Sequence, residues 1–169
     1  MKYVCKFILA AALAVLSVCP SVAGIAGPPS DLRVAPFVQS KWEQPVVVET
    51  YPCGPAATAQ AQAMRFFGWP VASVVAQTFE CNVRGLGYVD LMMQGGTYNW
   101  SQMPLQYNAA NDSVTALCRD VSISLETAYK ASSAAYASKA AESLVGTFGY
   151  SGAVYRYSGA GLARDDYLK

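Results

Sequence analysis

The sequence predicts an α+β domain behind an N-terminal export signal. Three observations carry this expectation. Hydrophobic residues make up 53% of the 169 and charged residues only 14%, enough apolar surface for one packed core and too much for disorder. Helix formers cluster from Ala56 up to Gly68 and again from Ser138 to Phe148, while Val46–Val48 reads as a short strand. Before all of these stands an uncharged run from Phe7 to Val18, preceded by Lys2 and Lys6 and followed by Ser21-Val22-Ala23.

That N-terminal layout is a secretory signal peptide over residues 1–23, cleaved near Ala23, which places the product outside the cytoplasm, secreted or periplasmic. The apolar run is shorter than the ~20 residues a helix needs to cross a bilayer, so no stable membrane span is expected. An uncleaved N-terminal anchor is the alternative. Cleavage removes two lysines and leaves ten basic against eleven acidic residues, with no basic stripe for nucleic acid. It also removes Cys5 and Cys19, leaving Cys53, Cys81 and Cys118. Three cysteines are an odd set for an oxidising compartment.

The chain contains no histidine. It therefore holds no imidazole base for a thiol or hydroxyl nucleophile and no His-ligated metal. The cysteine spacings match no zinc motif, and neither a metal nor a cofactor is expected.

Residues 24–36 are rich in Gly and Pro and read as an extended arm. Tyr51-Pro52-Cys53-Gly54-Pro55 reads as a turn, with Pro55 suited to the first position of a helix where its missing N–H costs nothing. The helix over 56–67 is expected to be buried on most faces because it is so rich in alanine. Gly68 and Pro70 stop it. Four glycines (85, 87, 95 and 96) make residues 82–98 read as loop. Ser113–Arg119 reads as a short helix, Ser122–Glu126 as a short alternating strand, and Ser138–Phe148 as a third helix closed by Gly149. Asp165-Asp166 reads as a solvated terminus. Cys81 and Cys118 are open to pairing with each other, although a buried thiol is the plainer reading of Cys118.

Several segments in order resemble the streptopain-type cysteine peptidases, a secreted bacterial family with a papain-like fold. Val34-Ala35-Pro36-Phe37 leading to Trp42-Glu43-Gln44 resembles that family's mature N-terminus. Ala57-Thr58-Ala59-Gln60-Ala61-Gln62-Ala63-Met64 with Trp69-Pro70 resembles its central helix. Tyr98-Asn99-Trp100 with Met103-Pro104, Val114–Tyr129 and Phe148-Gly149-Tyr150 resemble segments that follow. The resemblance implies an incomplete papain-like domain over 37–169, mainly the helical N-terminal lobe. The family's G-H-A and W-G-W segments have no counterpart here, so the C-terminal β lobe is expected to be missing or reduced. It implies peptide or protein substrates, or a protein partner, and a possible downstream-encoded C-terminal half.

The residue types at the expected site depart from the family. Aligned without gaps on the central helix, the nucleophile's position is Pro55, and Cys53 stands two residues upstream. Cys53-Gly54-Pro55-Ala56 also resembles the C-G-P-A nucleophile motif of the bacteriocin-processing peptidases, a reading that makes Cys53 the nucleophile in place. The plain alternative is a turn cysteine. Gln44 is the candidate oxyanion donor, since papain-like enzymes place a glutamine upstream of the nucleophile to meet the developing charge. Tyr129–Ser138 falls where the family carries a Ser/Gly-rich loop bordering the substrate cleft. With no histidine, the chain is expected to be inactive alone. A non-catalytic pseudopeptidase that binds a peptide or partner protein is the alternative reading.

Overall fold

The computed structural model describes residues 36–107 and 111–153. The signal segment 1–23, the arm up to residue 35 and Asp165-Asp166 lie outside these residues. Among the described residues there are three two-stranded pairings, three α-helices and a short 3-10 helix at Trp100–Gln102. Strand β1 (Lys41–Trp42) pairs in parallel with β6 (Gln106–Tyr107). Strand β2 (Val46–Val48) runs antiparallel to β3 (Tyr51–Pro52). Strands β4 (Gln77–Val83) and β5 (Gly87–Met93) form a long antiparallel hairpin. Helix α1 spans Pro55–Phe67, α2 spans Asp112–Ser124 and α3 spans Ala137–Gly146.

Helix α1 begins and ends as its sequence dictates. Pro55 occupies its first turn, and Gly68 closes it in the left-handed conformation that glycine adopts freely. Its burial is one-sided, however. Ala57, Ala61 and Met64 are fully enclosed and pack toward α2, while Ala59, Phe66 and Phe67 are exposed. The alanines serve close helix–helix approach on one face only, and the expectation of burial on most faces is corrected accordingly.

Helix α2 is longer than expected. It runs on to Ser124, into the stretch read as a strand over 122–126, and Leu125 caps it. Ser122, Ile123 and Ser124 are all buried, so their alternation does not mark an inside and an outside face. The two serines satisfy their hydroxyls within the helix, Ser122 donating to the Arg119 carbonyl at 2.8 Å and Ser124 to the Val121 carbonyl at 2.8 Å. Asn111 caps the start, its side chain accepting the Val114 N–H at 3.0 Å.

The segment read as loop over 82–98 is largely the β4–β5 hairpin. Phe79, Cys81, Val83, Val89, Leu91 and Met93 turn toward the core, and Thr78, Glu80, Asn82, Tyr88, Asp90 and Met92 turn away. Gly85 sits in the tight turn and Gly87 opens β5 opposite Val83, both with positive φ; Gly95 and Gly96 lie beyond β5. Period-2 alternation was present in the sequence, hidden beneath the glycine count.

The core joins α1, α2 and the hairpin around Met64, Met93, Leu117, Val121, Tyr129 and Phe148. Buried polar groups tie the layers together. Gln60 Nε2 donates to Ser143 Oγ at 3.0 Å, and Ser143 meets Ser124 at 2.7 Å, linking all three helices. The Asp120 carboxylate accepts the backbone N–H groups of Gln94 and Gly95 and the Tyr98 hydroxyl, each at 2.9 Å. This clasp fixes the end of β5 against α2. Among the described residues, no helix is long and apolar enough to cross a membrane.

Candidate site at the mouth of helix α1

The N-terminus of α1 is positioned by the β2–β3 pairing. Val46 lies opposite Pro52, and the Cys53 N–H donates to the Pro45 carbonyl at 2.9 Å. The chain around Gln44 is thereby held beside the turn that leads into the helix. The approach is further anchored by Trp42, whose indole donates to the Pro104 carbonyl at 2.8 Å, and by Arg65, whose Nε donates to the Met103 carbonyl at 2.9 Å. Three segments quoted for the family resemblance, around Trp42, Met64 and Met103, thus meet in space.

Each candidate residue has a definite setting. Gln44 is exposed at the helix approach. Pro55 is exposed at the first position of α1. It carries no thiol, and it has no backbone N–H to offer a developing oxyanion. Cys53, by contrast, is 0% exposed. Its thiol lies 3.2 Å from Thr58 Oγ1 and 3.7 Å from the Gly54 carbonyl, and Thr58 donates to that same carbonyl at 3.0 Å. The structure brings Gln44, Cys53 and Pro55 to one end of one helix, with Cys53 turned inward and the other two outward.

A loop that sequence reasoning treated only as a cleft border closes over this turn. Gly54 has φ +88°, and a Cβ there would come within 2.9 Å of the Ser133 carbonyl oxygen. Only glycine permits that approach. Ser133 is itself buried and locked, donating to the Lys130 carbonyl at 2.9 Å and accepting the Lys130 N–H at 3.2 Å. The chain over 130–134 therefore sits directly against Gly54.

The thiols differ in setting. Cys81 and Cys118, open to pairing in the sequence, are both free thiols with no bridge between them. The bond from Cys118 holds the Cys53 thiol below the usual range, with burial acting against it and Thr58 and its own backbone adding to it. Cys118 is pushed the other way by its bond to Cys53 and then by burial. Cys81 stands apart, its thiol 3.7 Å from the Ile123 carbonyl, and burial followed by the nearby Glu126 charge pushes it up to about 12. All three are free and buried. The sequence could place Cys118 on the buried face of a helix from Leu117 and Val121. Among the described residues, no three of Cys, Asp and Glu gather as a metal site.

The comparisons with known proteins agree with the fold. The chain is similar to the solved structure of a Prevotella intermedia prointerpain A fragment carrying a Cys-to-Ala mutation, at 22% identity and TM-score 0.55, over 67% of this chain and 42% of that one. It is similar also to active wild-type interpain A cysteine protease from Prevotella intermedia, at 21% identity and TM-score 0.55, over 67% of this chain and 54% of that one. The fold is thus papain-like, and the chain spans about half the length of the structures it matches. No curated protein matches it. The family model described as "Peptidase C10 family" matches residues 35–166, most of the sequence, and the chain belongs to that family.

Proposed function

We propose that this chain is an exported, peptidase-fold protein that engages peptide or protein segments at the mouth of α1 without hydrolysing them on its own. The observation that carries the reading is the inversion at the helix start. The outward position is Pro55, and the neighbouring thiol, Cys53, is sealed in the core. A thiol attacks a carbonyl only from contact distance and only as thiolate, with a base to receive its proton and return it to the leaving amine. Cys53 has no exposed surface from which to attack, and the chain supplies no histidine. The exposed Gln44 beside the helix end supports retained peptide contact. The Lys-flanked apolar run supports export, and mass spectrometry of extracytoplasmic protein should find an N-terminus at or near Gly24.

The test is a fluorescently labelled, unstructured peptide mixed with the purified chain. Rising anisotropy with unchanged peptide mass is the expected result, weakened by Gln44→Ala. Absence of binding rejects retained peptide engagement.

One observation favours a second reading. The chain matches only about half of each interpain A structure. Sequence that supplies the unmatched part of that fold would then complete the domain. Hydrolysis that appears only when such a polypeptide carrying the G-H-A and W-G-W segments is added to the chain would support this reading over the first.

A further inference from the structure

An open hollow of about 450 Å3 lies where β1, β6 and α1 meet, lined by Lys41, Trp42, Glu43, Gln62, Gln106 and Tyr107. That volume suits a small ligand. The parallel register sets Gln106 beside Lys41 and Tyr107 beside Trp42. The two aromatic residues are held by their polar atoms, Trp42 through its indole bond to the Pro104 carbonyl and Tyr107 through its hydroxyl, 3.4 Å from Thr115 Oγ1. The wall of the hollow is therefore preformed.

Lys41 and Glu43 are exposed and alternate with the buried Trp42, so the extended chain carries an ammonium and a carboxylate on one face. They form no ion pair with each other. At ~3.3 Å per residue their backbones stand about 7 Å apart. Gln62 from α1 and Gln106 from β6 add two amide side chains.

We propose that this hollow binds short peptides with both ends free, dipeptides foremost, the terminal carboxylate on Lys41 and the terminal ammonium on Glu43. Each ligand charge then meets its opposite in a charge-assisted hydrogen bond. An extended dipeptide spans about 7 Å, at ~3.3–3.6 Å per residue, which matches the separation of the pair. The peptide group between its ends needs one donor and one acceptor, and a glutamine amide supplies either. A simple anion would face Glu43 and a metal ion would face Lys41, each leaving one charge repelled. A zwitterion satisfies both. This goes beyond the reading above, which concerns the interior of a peptide at the mouth of α1, and does not depend on it. The contacts are solvent-exposed, so a dissociation constant of ~1 mM is expected.

The experiment is a titration of the purified, isotope-labelled chain with dialanine, followed through amide shifts in two-dimensional NMR spectra. Saturable shifts should appear at Lys41, Glu43, Gln106 and Tyr107 and at the side-chain amides of Gln62 and Gln106. Blocking either end, as N-acetyl-dialanine or dialanine amide, should weaken binding by ~5-fold. Lys41→Gln should weaken dialanine by the same factor and leave dialanine amide unaffected, because that ligand has no carboxylate to lose. Glu43→Gln should do the same with N-acetyl-dialanine. Both residues are exposed, and the spectrum of each variant reports its fold. Free and doubly blocked dialanine binding alike would overturn the proposal, as would free alanine binding as tightly as dialanine. So would the lack of saturable shifts at these residues at ~10 mM dialanine, about tenfold above the expected constant. Shifts confined to Gln44 and the first turn of α1 would overturn it while leaving the earlier reading in place.

Discussion

The backbone N–H of Cys53 donates to the carbonyl of Pro45 at 2.9 Å, and this one bond organises the candidate site. It holds the Gln44 segment beside the start of α1 while the following residue, Gly54, turns the chain so that Pro55 emerges outward. Had the thiol stood at 55, it would sit on the exposed first turn of the helix. Standing at 53, it is on the inner side of the turn, 3.2 Å from Thr58 Oγ1.

Pro55→Cys therefore restores an accessible thiol at a helix N-terminus, where the oriented N–H groups favour the anionic form. In native protein, iodoacetamide should label residue 55 at least ~10-fold faster than any thiol of the unaltered chain, with a reactivity midpoint below the ordinary thiol pKa of ~8.5. Peptide mapping after brief alkylation measures both. Labelling of Cys53 at a rate equal to that of residue 55 would show that the turn opens.

The one-sided burial of α1 makes a position-specific prediction about packing. Ala57→Leu and Ala61→Leu force a larger side chain against α2 and should each destabilise by about 1–3 kcal/mol. Ala59→Leu, on the exposed face, should stay within about 0.5 kcal/mol. Urea unfolding of the three variants checks the pattern, and equal losses at 57 and 59 would contradict it.

Much of this organisation was legible in the sequence and some was not. The start and stop of α1 were readable because Pro55 and Gly68 act locally on the backbone, and Val46–Val48 because three β-branched residues stood between turn signals. The hairpin was hidden because glycines at 85 and 87 were read as loop when they mark its turn. The strand expected over 122–126 failed because burial of Ser122, Ile123 and Ser124 on every side erased the contrast that periodicity needs. At the site, Gln44, Cys53 and Pro55 were all identifiable by residue type and order. The inward turn of Cys53 and the closure of Ser133 over Gly54 arise from contacts distant in sequence, which no local pattern encodes.

The Asp120 clasp is expected to dominate the attachment of the hairpin to α2. Asp120→Ala leaves the Gln94 and Gly95 N–H groups and the Tyr98 hydroxyl without their acceptor and should cost about 1.5–3 kcal/mol or more. Tyr98→Phe removes one donor of three and should cost less. Hydrogen exchange of the Gln94 and Gly95 amides should quicken in Asp120→Ala and remain slow in Tyr98→Phe.

Alkaline pH should weaken the fold through Cys81. Its folded pKa is raised from the ordinary 9.0 to about 12 by burial, so the native state keeps its proton where the unfolded state loses it. Its stabilising contribution is whole below pH 9 and is lost as pH rises toward 12, at about 1.4 kcal/mol per unit. Cys81→Ala should lessen the fall in stability between pH 9 and 10 without abolishing it, because the buried Cys118 is raised as well and loses stability over the same range. An unchanged slope in that variant would place the alkaline sensitivity elsewhere.

Hydrolysis by the purified chain tests the non-catalytic reading most directly. Casein and a fluorogenic peptide are incubated with the chain and with its Cys53→Ala variant under reducing conditions, with and without a thiol-alkylating inhibitor. The buried thiol, the exposed Pro55 and the lack of histidine predict no cleavage above background and no difference between the two proteins. Cleavage that the inhibitor blocks and that Cys53→Ala abolishes would contradict this, showing that Cys53 reaches substrate and that another residue serves as its base.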